Sequence, residues 1–582
     1  MPFWHDLKNH SDGDILLWYS LKKLRRDKGN MSRASKSKAV SFADKSPISK
    51  KLLKEITAVY VFFMFAIYPL YYEDKYYNMG EAKWHFFKWV TLVAVVLLFA
   101  VFIWYQVDLF NKKKIKEYWD FKKTSIIDRF VLAYAVLCIL SFLFSPYKDY
   151  TLVGYDGWYM GLIAQLAFCV IYYFISRFWR WDEICVIIYL VVSSVVFLLC
   201  VMNRFYNKDL SITALTDPLQ MYTNLGEGYI INFISTLGQA TWFSSYMVIV
   251  FPLGVFAFWN YNKKIIRIWS GLYTLLCCMT MITQNSDSAF AAYFAIMVGL
   301  FCFSFKENRL MKRFLEVVIL VFAGWKIIGI LQTIFHNVAI ELGGLMMFFS
   351  KGTITWILLI ASIALYAGFV MLDKNGKIDV TKLKIVRTIV LILIGVGIAA
   401  LVVYITLNTK GALAGTGLES DNNYLLFDTY WGNNRGSSWM VTVGTFIECD
   451  FMRKLFGAGP DGFYNLVYTY RAPELIEKWG ENTVLTCAHN EWMTAFINVG
   501  ILGAVAYIGV FISAIVRFTK KSKEIPEVIA PVLCILGYMA HNFFCYQQII
   551  CTPIIFLLIG GGECLCRYGL RPIWEEDGDL NV

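Results

Sequence analysis

Charge is scarce in this sequence, and so is histidine. Of 582 residues, 17% are charged and six are histidine. A soluble domain carries about 25% charged residues, so a large soluble core is a poor fit. No CxxC pair sits in a polar connection, no metal-ligand spacing is visible, and no glycine-rich nucleotide-binding loop is present. No nucleic-acid-binding signature accompanies the net charge of +11, which is therefore assigned to membrane topology rather than to a nucleic-acid partner. No cleavable signal peptide is expected either. The first 56 residues are polar and basic, with LKKLRRDK at 21–28 and SKSK at 35–38.

What is abundant is apolar sequence. Hydrophobic residues make up 58% of the chain, and the mean hydropathy is +0.53. They come in runs of about 20, enough to cross a bilayer core. Most of the fourteen cysteines lie inside those runs, as in LLCCM (275–279), and act as small hydrophobes. Cys449 and Cys487 share the largest connection, where a disulfide is an open, unsupported option.

The expected fold class is an all-α polytopic membrane protein of about fourteen (12–14) transmembrane helices with one large extracytoplasmic loop containing short amphipathic helices. Residues 1–55 read as a basic cytoplasmic tail, with SDGDILLWYSLKKLRR as an amphipathic helix on the anionic leaflet. Eleven helices follow over 56–406, then the loop 407–493, three helices over 494–566, and a cytoplasmic tail 567–582. Orientation comes from the connections. NKKKIKEYWDFKK (111–123), SRFWR (176–180), NKKIIR (262–267), KENRLMKR (306–313), DKNGKIDVTKLKIVR (373–387) and RFTKKSKE (517–524) are all basic and belong inside. The opposite connections have mixed charge. The expected location is thus a cytoplasmic membrane, with segments 204–241 and 407–493 outside.

Long ordered loops on a helical scaffold concentrate function. Within 407–493, SSWMVTVGTFIECDFMRKLFG (437–457) reads as an amphipathic helix capped by Ser437 or Ser438. Trp439, Val443, Phe446, Ile447, Phe451 and Leu455 form its apolar stripe, facing either the membrane surface or the bundle. GAGPDGFY (457–464) ends it, either as a plain turn or as a cradle of backbone amides for an anion. Arg435 in GNNRGSSW is a solvated polar group or a fixed cation whose planar fork suits a diphosphate. Arg471 and Arg204 are further cations on the same side.

His489 stands just before an apolar helix in CAHNEWMTAFINVGILG (487–503). Imidazole titrates near neutral pH and can take a proton from a sugar hydroxyl. The competing reading is an interfacial helix cap, with Asn490 satisfying free amides. Trp492, Tyr468 and Tyr470 suit either sugar stacking or interfacial anchoring, and His541 with Asn542 suits either the same cavity or structural hydrogen bonding. Glu491 draws attention as the neighbour of the His-Asn pair. No spacing among Glu448, Glu474, Glu481 and Glu491 marks a hydrolase-type carboxylate pair.

Together these features resemble the O-antigen ligase and O-antigen polymerase superfamily of integral membrane proteins, over about 128–565. The carriers are His489-Asn490 followed by Gly500-Ile-Leu-Gly503, NRGSSW (434–439), LFGAGPDGF (455–463), LVGYDGWYMG (152–161), STLGQATWFSSY (235–246) and MITQNSDSAF (281–290). Two positions depart from that pattern: Trp158 and Asp287 stand where the family often has arginine. The resemblance implies an inverting, metal-independent glycosyltransferase without cofactor. Its donor would be an oligosaccharide on polyprenyl diphosphate, and its acceptor a glycan, lipid, wall polymer or protein. His489 would be the base, and Arg435 the diphosphate cation with Arg471 or Arg204 as its second. Asn490, Glu491, Trp492, Tyr468 and His541 would contact acceptor or sugar. The alternative is a lipid-linked glycan transporter without transferase chemistry. Such proteins carry mid-membrane polar residues or internal repeats, and only Asp287 stands out in that way.

Overall fold

A computed structural model describes residues 47–74, 76, 78–181, 183–205, 233–482 and 484–570. Residues 1–46 of the basic tail, including the stretch expected as an amphipathic helix, the middle of segment 204–241 and the end of the C-terminal tail lie outside the described residues, and the last part of the expected tail, from Ile48, belongs to the first helix.

The chain is a mostly helical, multi-pass membrane protein. Among the described residues, eleven helices of fifteen residues or more precede the large connection: α1 (Ile48–Phe62), α2 (Met79–Asn111), α3 (Ile126–Phe144), α4 (Leu162–Phe178), α5 (Glu183–Asn203), α6 (Ala240–Asn260), α7 (Lys264–Thr283), α8 (Ser288–Ser304), α9 (Asn308–Ile334), α10 (Thr353–Lys374) and α11 (Lys384–Thr409). The connection carries α12 (Trp431–Glu448), α13 (Phe451–Phe456) and α14 (Phe463–Trp479). Helices α15 (Glu491–Lys521), α16 (Ile529–His541) and α17 (Thr552–Tyr568) close the bundle. The eleven helices expected over 56–406 and the three over 494–566 are found as helices. Among the described residues, nine helices are long and apolar enough to cross a membrane, and α4, α8 and α16 are shorter apolar helices. A two-residue antiparallel pair, Phe233–Ile234 with Gly238–Gln239, leads into α6.

The packing order is uneven. Helix α15 lies along α3, α17 along α4, and α16 between α6 and α8. Helix α6 is buried nearly throughout, whereas Asn408 is the only buried residue of α11. The basic connections meet at one end of the bundle. There Lys306 Nζ donates to the Ser522 carbonyl at 2.9 Å, and Asn308 Nδ2 to Asp373 Oδ1 at 2.7 Å. At the same end Glu563, fully buried, pairs with Arg517 at 2.6 Å and Arg567 at 2.9 Å. Asp128 of α3 pairs with Arg177 of α4 at 3.2 Å and with Arg567. Buried charges need such partners, because an unpaired one costs several kcal/mol.

The large connection caps the other end. Its first helix departs from the expectation. Its regular part begins after a kink at Gly432, Asn433 and Asn434, which are left-handed (φ 58°, 64° and 67°), rather than at a serine cap. Ser437 and Ser438 are buried with Val441, Thr442 and Thr445, forming a small-residue face that lets α12 settle closely on the bundle. Val443, Ile447 and Phe451, expected in the apolar stripe, point outward. The helix also stops at Glu448. Cys449 is extended, and Asp450 starts α13 by accepting the Arg453 amide at 3.0 Å.

Candidate functional site

The turn 457–462 is a plain turn. Its amides are already used: Gly457 donates to the Arg453 carbonyl, Ala458 to Ile497 (2.8 Å), Gly459 to Asn498 (2.9 Å) and Gly462 to Gly459. No amide of these four is left to cradle an anion. The partner carbonyls are exposed because α15 is kinked at Gly500, whose φ is +67°. A Cβ there would lie 2.3 Å from the Leu455 carbonyl. The glycine downstream of the His-Asn pair therefore allows α15 to bend against this turn. Asp461, itself at φ 61°, accepts from the amides of Tyr155 (2.8 Å) and Met160 (3.2 Å). Burial pushes its carboxyl up to about 7. This tie joins the LVGYDGW segment to the large connection.

His489 sits at the rim above this junction with φ 51°, a left-handed backbone rare for a non-glycine residue. Such conformations persist where surrounding structure imposes them, and they cluster at functional sites. The imidazole is half-buried. It lies edge-on to Tyr546, ring centroids 5.2 Å apart at 70°. Neither ring nitrogen has a hydrogen-bond partner among the described residues. Burial and the charge of Arg435 pull its pKa down to about 4. It is neutral at neutral pH, with a lone pair to offer.

Arg435 is anchored on one side only. Its Nε donates to the Phe544 carbonyl (3.0 Å) and Nη1 to the Gly432 carbonyl (2.6 Å), a carbonyl aimed inward by the left-handed start of α12. Nη2 has no acceptor, and no carboxylate pairs with the guanidinium among the described residues. Trp431 and Trp439 (centroids 4.9 Å apart) pack with Phe543 and Phe544 and clamp α12 onto the loop after α16.

That loop is held by Glu491, which sequence reading undervalued. Its buried carboxylate accepts from Tyr507 (2.5 Å), Tyr538 (2.9 and 3.0 Å) and Asn542, and its amide donates to the Asn542 carbonyl at 2.9 Å. Glu491 thus fixes the end of α16. The next few residues carry Phe544, which anchors Arg435, and Tyr546, which flanks His489. Through these bonds Glu491 acts as a positioning residue.

The other expected residues are placed as follows. Asn490 caps α15, its Oδ1 accepting the Met493 amide at 3.0 Å. Trp492 packs among Tyr507 and Phe511 and donates to Met539. His541 is fully buried, with Nε2 near Ser244 (2.9 Å) and Ser288 (3.0 Å) and Nδ1 near Asn542 (2.9 Å) and Ser245 (3.2 Å). These three serve the scaffold. Tyr468 accepts the Leu485 amide at 3.1 Å and packs against Tyr464, ring centroids 4.6 Å apart and tilted at 46°. Arg471 is neutralised by Glu448 and by Glu474 at 2.7 Å. Arg204 is buried and donates to the Thr283 carbonyl at 2.6 Å. Of the three expected cations, Arg435 alone acts on His489. Cys449 and Cys487 are not disulfide-bonded.

Both departures from the resemblance are built in. Trp158 meets Tyr546 edge-on at 4.6 Å, and Trp242 donates to the Tyr546 hydroxyl at 2.9 Å. Asp287 accepts from Tyr424. Trp242 also borders an open cleft of about 510 Å³ with Tyr76, Glu81, Asp156 and Tyr159. A small cavity of about 40 Å³ is lined by Asp461, Glu491, Gln165, Asn498 and Gln547 among others. It has room for water but not for a sugar ring. No group of His, Cys, Asp and Glu suited to a metal occurs among the described residues. No protein-family model matches this chain, and no curated protein matches it.

Proposed function

We propose that the protein transfers a glycan from a polyprenyl diphosphate carrier to an acceptor hydroxyl, at the outer face of a cytoplasmic membrane. In this reading about fourteen helices span the bilayer, the basic connections face the cytoplasm, and the His489 rim faces outward. The resemblance to O-antigen ligases and polymerases belongs to this proposal.

The observation that carries it is that the Arg435 charge reaches His489. His489 offers a neutral imidazole without a hydrogen-bond partner, and Arg435 a cation without a carboxylate, among the described residues. His489 takes the proton of the acceptor hydroxyl as its oxygen attacks the anomeric carbon. The bond from that carbon to the diphosphate oxygen breaks, and Arg435 stabilises the charge gathering on the departing diphosphate. One displacement inverts the anomeric centre. The cleft beside Trp242 supports the reading, since it offers aromatic faces and carboxylate acceptors of the kind sugars use.

The test is His489→Ala in vesicles loaded with lipid-diphosphate-linked glycan. Transfer should fall by about 10²–10⁴ while protein level and insertion stay normal. Full transfer by the variant removes His489 as base. Lipid-linked glycan crossing the membrane with no new linkage supports transport instead.

A further inference from the structure

A lateral groove of about 1270 Å³ separates α11 from α8 and α16. It exists because α11 barely packs on the bundle. Its walls are apolar, with Ala291, Phe294 and Val298 on α8, Ile394 and Ile398 on α11, and Leu536 on α16. Charge is confined to one mouth, where Lys306, Glu307, Arg309, Lys384, Arg387 and Lys523 gather. Glu307 is taken by Arg309, and Lys306 by the Ser522 carbonyl and hydroxyl. Lys384, Arg387 and Lys523 have no ion pair among the described residues. Burial, and then the charge of nearby Lys523, lower the pKa of Lys306. Several cations are thus held together with a single carboxylate, itself already engaged.

The dimensions select the occupant. The α8 wall runs from Ala291 to Phe303, about 18 Å at 1.5 Å per residue. One leaflet of hydrocarbon is about 15 Å thick. An apolar trough one leaflet deep, with cations at one end only, matches a molecule with one anionic head and two chains of leaflet length. A polyprenyl chain is too long for it. A second copy of this basic mouth would meet it with like charge.

We infer that this groove seats an anionic glycerophospholipid from the leaflet on the basic side, its phosphate held by Lys384, Arg387 and Lys523. This stands apart from the glycan-transfer reading. The test exchanges the purified full chain into mixed phosphatidylglycerol and phosphatidylcholine of matched chains and reads retained lipid by native mass spectrometry. The unaltered protein should keep phosphatidylglycerol with a preference of about tenfold or more. The triple variant Lys384→Gln, Arg387→Gln, Lys523→Gln should retain both lipids alike, at unchanged melting temperature. If the triple variant unfolds, Lys384→Gln and Lys523→Gln alone should each weaken the preference. Equal retention of both lipids by the unaltered protein overturns the inference. So does a preference that the variants leave intact, or a lipid-free dimer.

Discussion

The imidazole of His489 and the phenol ring of Tyr546 meet edge to face, 5.2 Å between centroids. Tyr546 is held in turn by Trp242 and Trp158. The base candidate is thus oriented by an aromatic wall, while its ring nitrogens have no hydrogen-bond partner among the described residues. Removing that wall should disorder the imidazole without changing its chemistry. Tyr546→Ala is expected to lower transfer mainly through kcat, and Tyr546→Phe, which keeps the ring, should retain most of it. Steady-state kinetics on the two variants decides; equal losses would show that the hydroxyl matters rather than the ring.

Arg435 is anchored through two nitrogens, so geometry as well as charge is at stake. Arg435→Gln should cost about 10²–10³ in rate, the loss typical of removing one donor from a developing anion. Arg435→Lys keeps the charge but cannot both anchor to Phe544 and present a second donor edge, and should restore little. Full rescue by lysine would reduce the role of Arg435 to that of a point charge.

Burial, and second the Arg435 charge, hold His489 at about 4, below its ordinary 6.5. The folded value is the lower one, so the folded state binds fewer protons than the unfolded between those two values. The associated stability is present above pH 6.5 and is lost as pH falls through about 4. The acid limb of the rate should accordingly lie near pH 4 rather than 6.5. Arg435→Gln should move the imidazole upward, though not fully, because burial remains. Diethylpyrocarbonate labelling of His489 against pH, read by peptide mass spectrometry, measures this without activity. An identical profile in the variant would contradict the coupling.

Much of this arrangement was legible in the sequence, for physical reasons. Apolar runs must be helical in a bilayer, because no water satisfies their backbone groups, so the apolar runs of 56–406 and 494–566 are found as helices, nine of them, among the described residues, long and apolar enough to cross a membrane. His489 and Arg435 could be singled out as polar residues at the ends of apolar or amphipathic segments. The Asn490 cap was open to sequence reading because its partner, Met493, is local, but the roles of Trp492 and His541 could not be separated from substrate roles, since their partners from α6, α8 and α16 are distant in sequence. Phe544 and Tyr546 were missed, although the aromatic run FFCY after His541-Asn542 signals that loop. The α12 stripe was assigned by hydrophobicity, but close packing is made by its small polar face.

Gly500 tests the bend that brings α15 to the 457–462 turn. Gly500→Ala places a Cβ against the Leu455 carbonyl and forces alanine to φ +67°. The backbone cost alone is about 1–3 kcal/mol, and the clash adds to it. Gly368→Ala, with open space around it, should be neutral or stabilising by up to about 1 kcal/mol. Thermal unfolding in detergent compares the two. Equal melting temperatures would mean that the bend is not needed.

Glu491→Gln turns one acceptor of the buried carboxylate into a donor facing Tyr507, Tyr538 and Asn542. A buried donor left without a partner costs about 1–3 kcal/mol. The melting temperature should drop, and transfer should fall with the displaced Phe544 and Tyr546. An unaltered melting temperature would contradict the positioning role.

The central claim is transfer itself. Purified, reconstituted protein is incubated with a lipid-diphosphate-linked repeat unit from its own host, with and without candidate acceptors, beside His489→Ala, and intact product masses are taken. The account predicts a new glycosidic linkage made by the unaltered protein and lost in the variant. Longer glycan still on polyprenyl diphosphate identifies a polymerase, and glycan on an added acceptor with polyprenyl diphosphate released identifies a ligase. No new linkage under either condition, or the same products from His489→Ala, contradicts it.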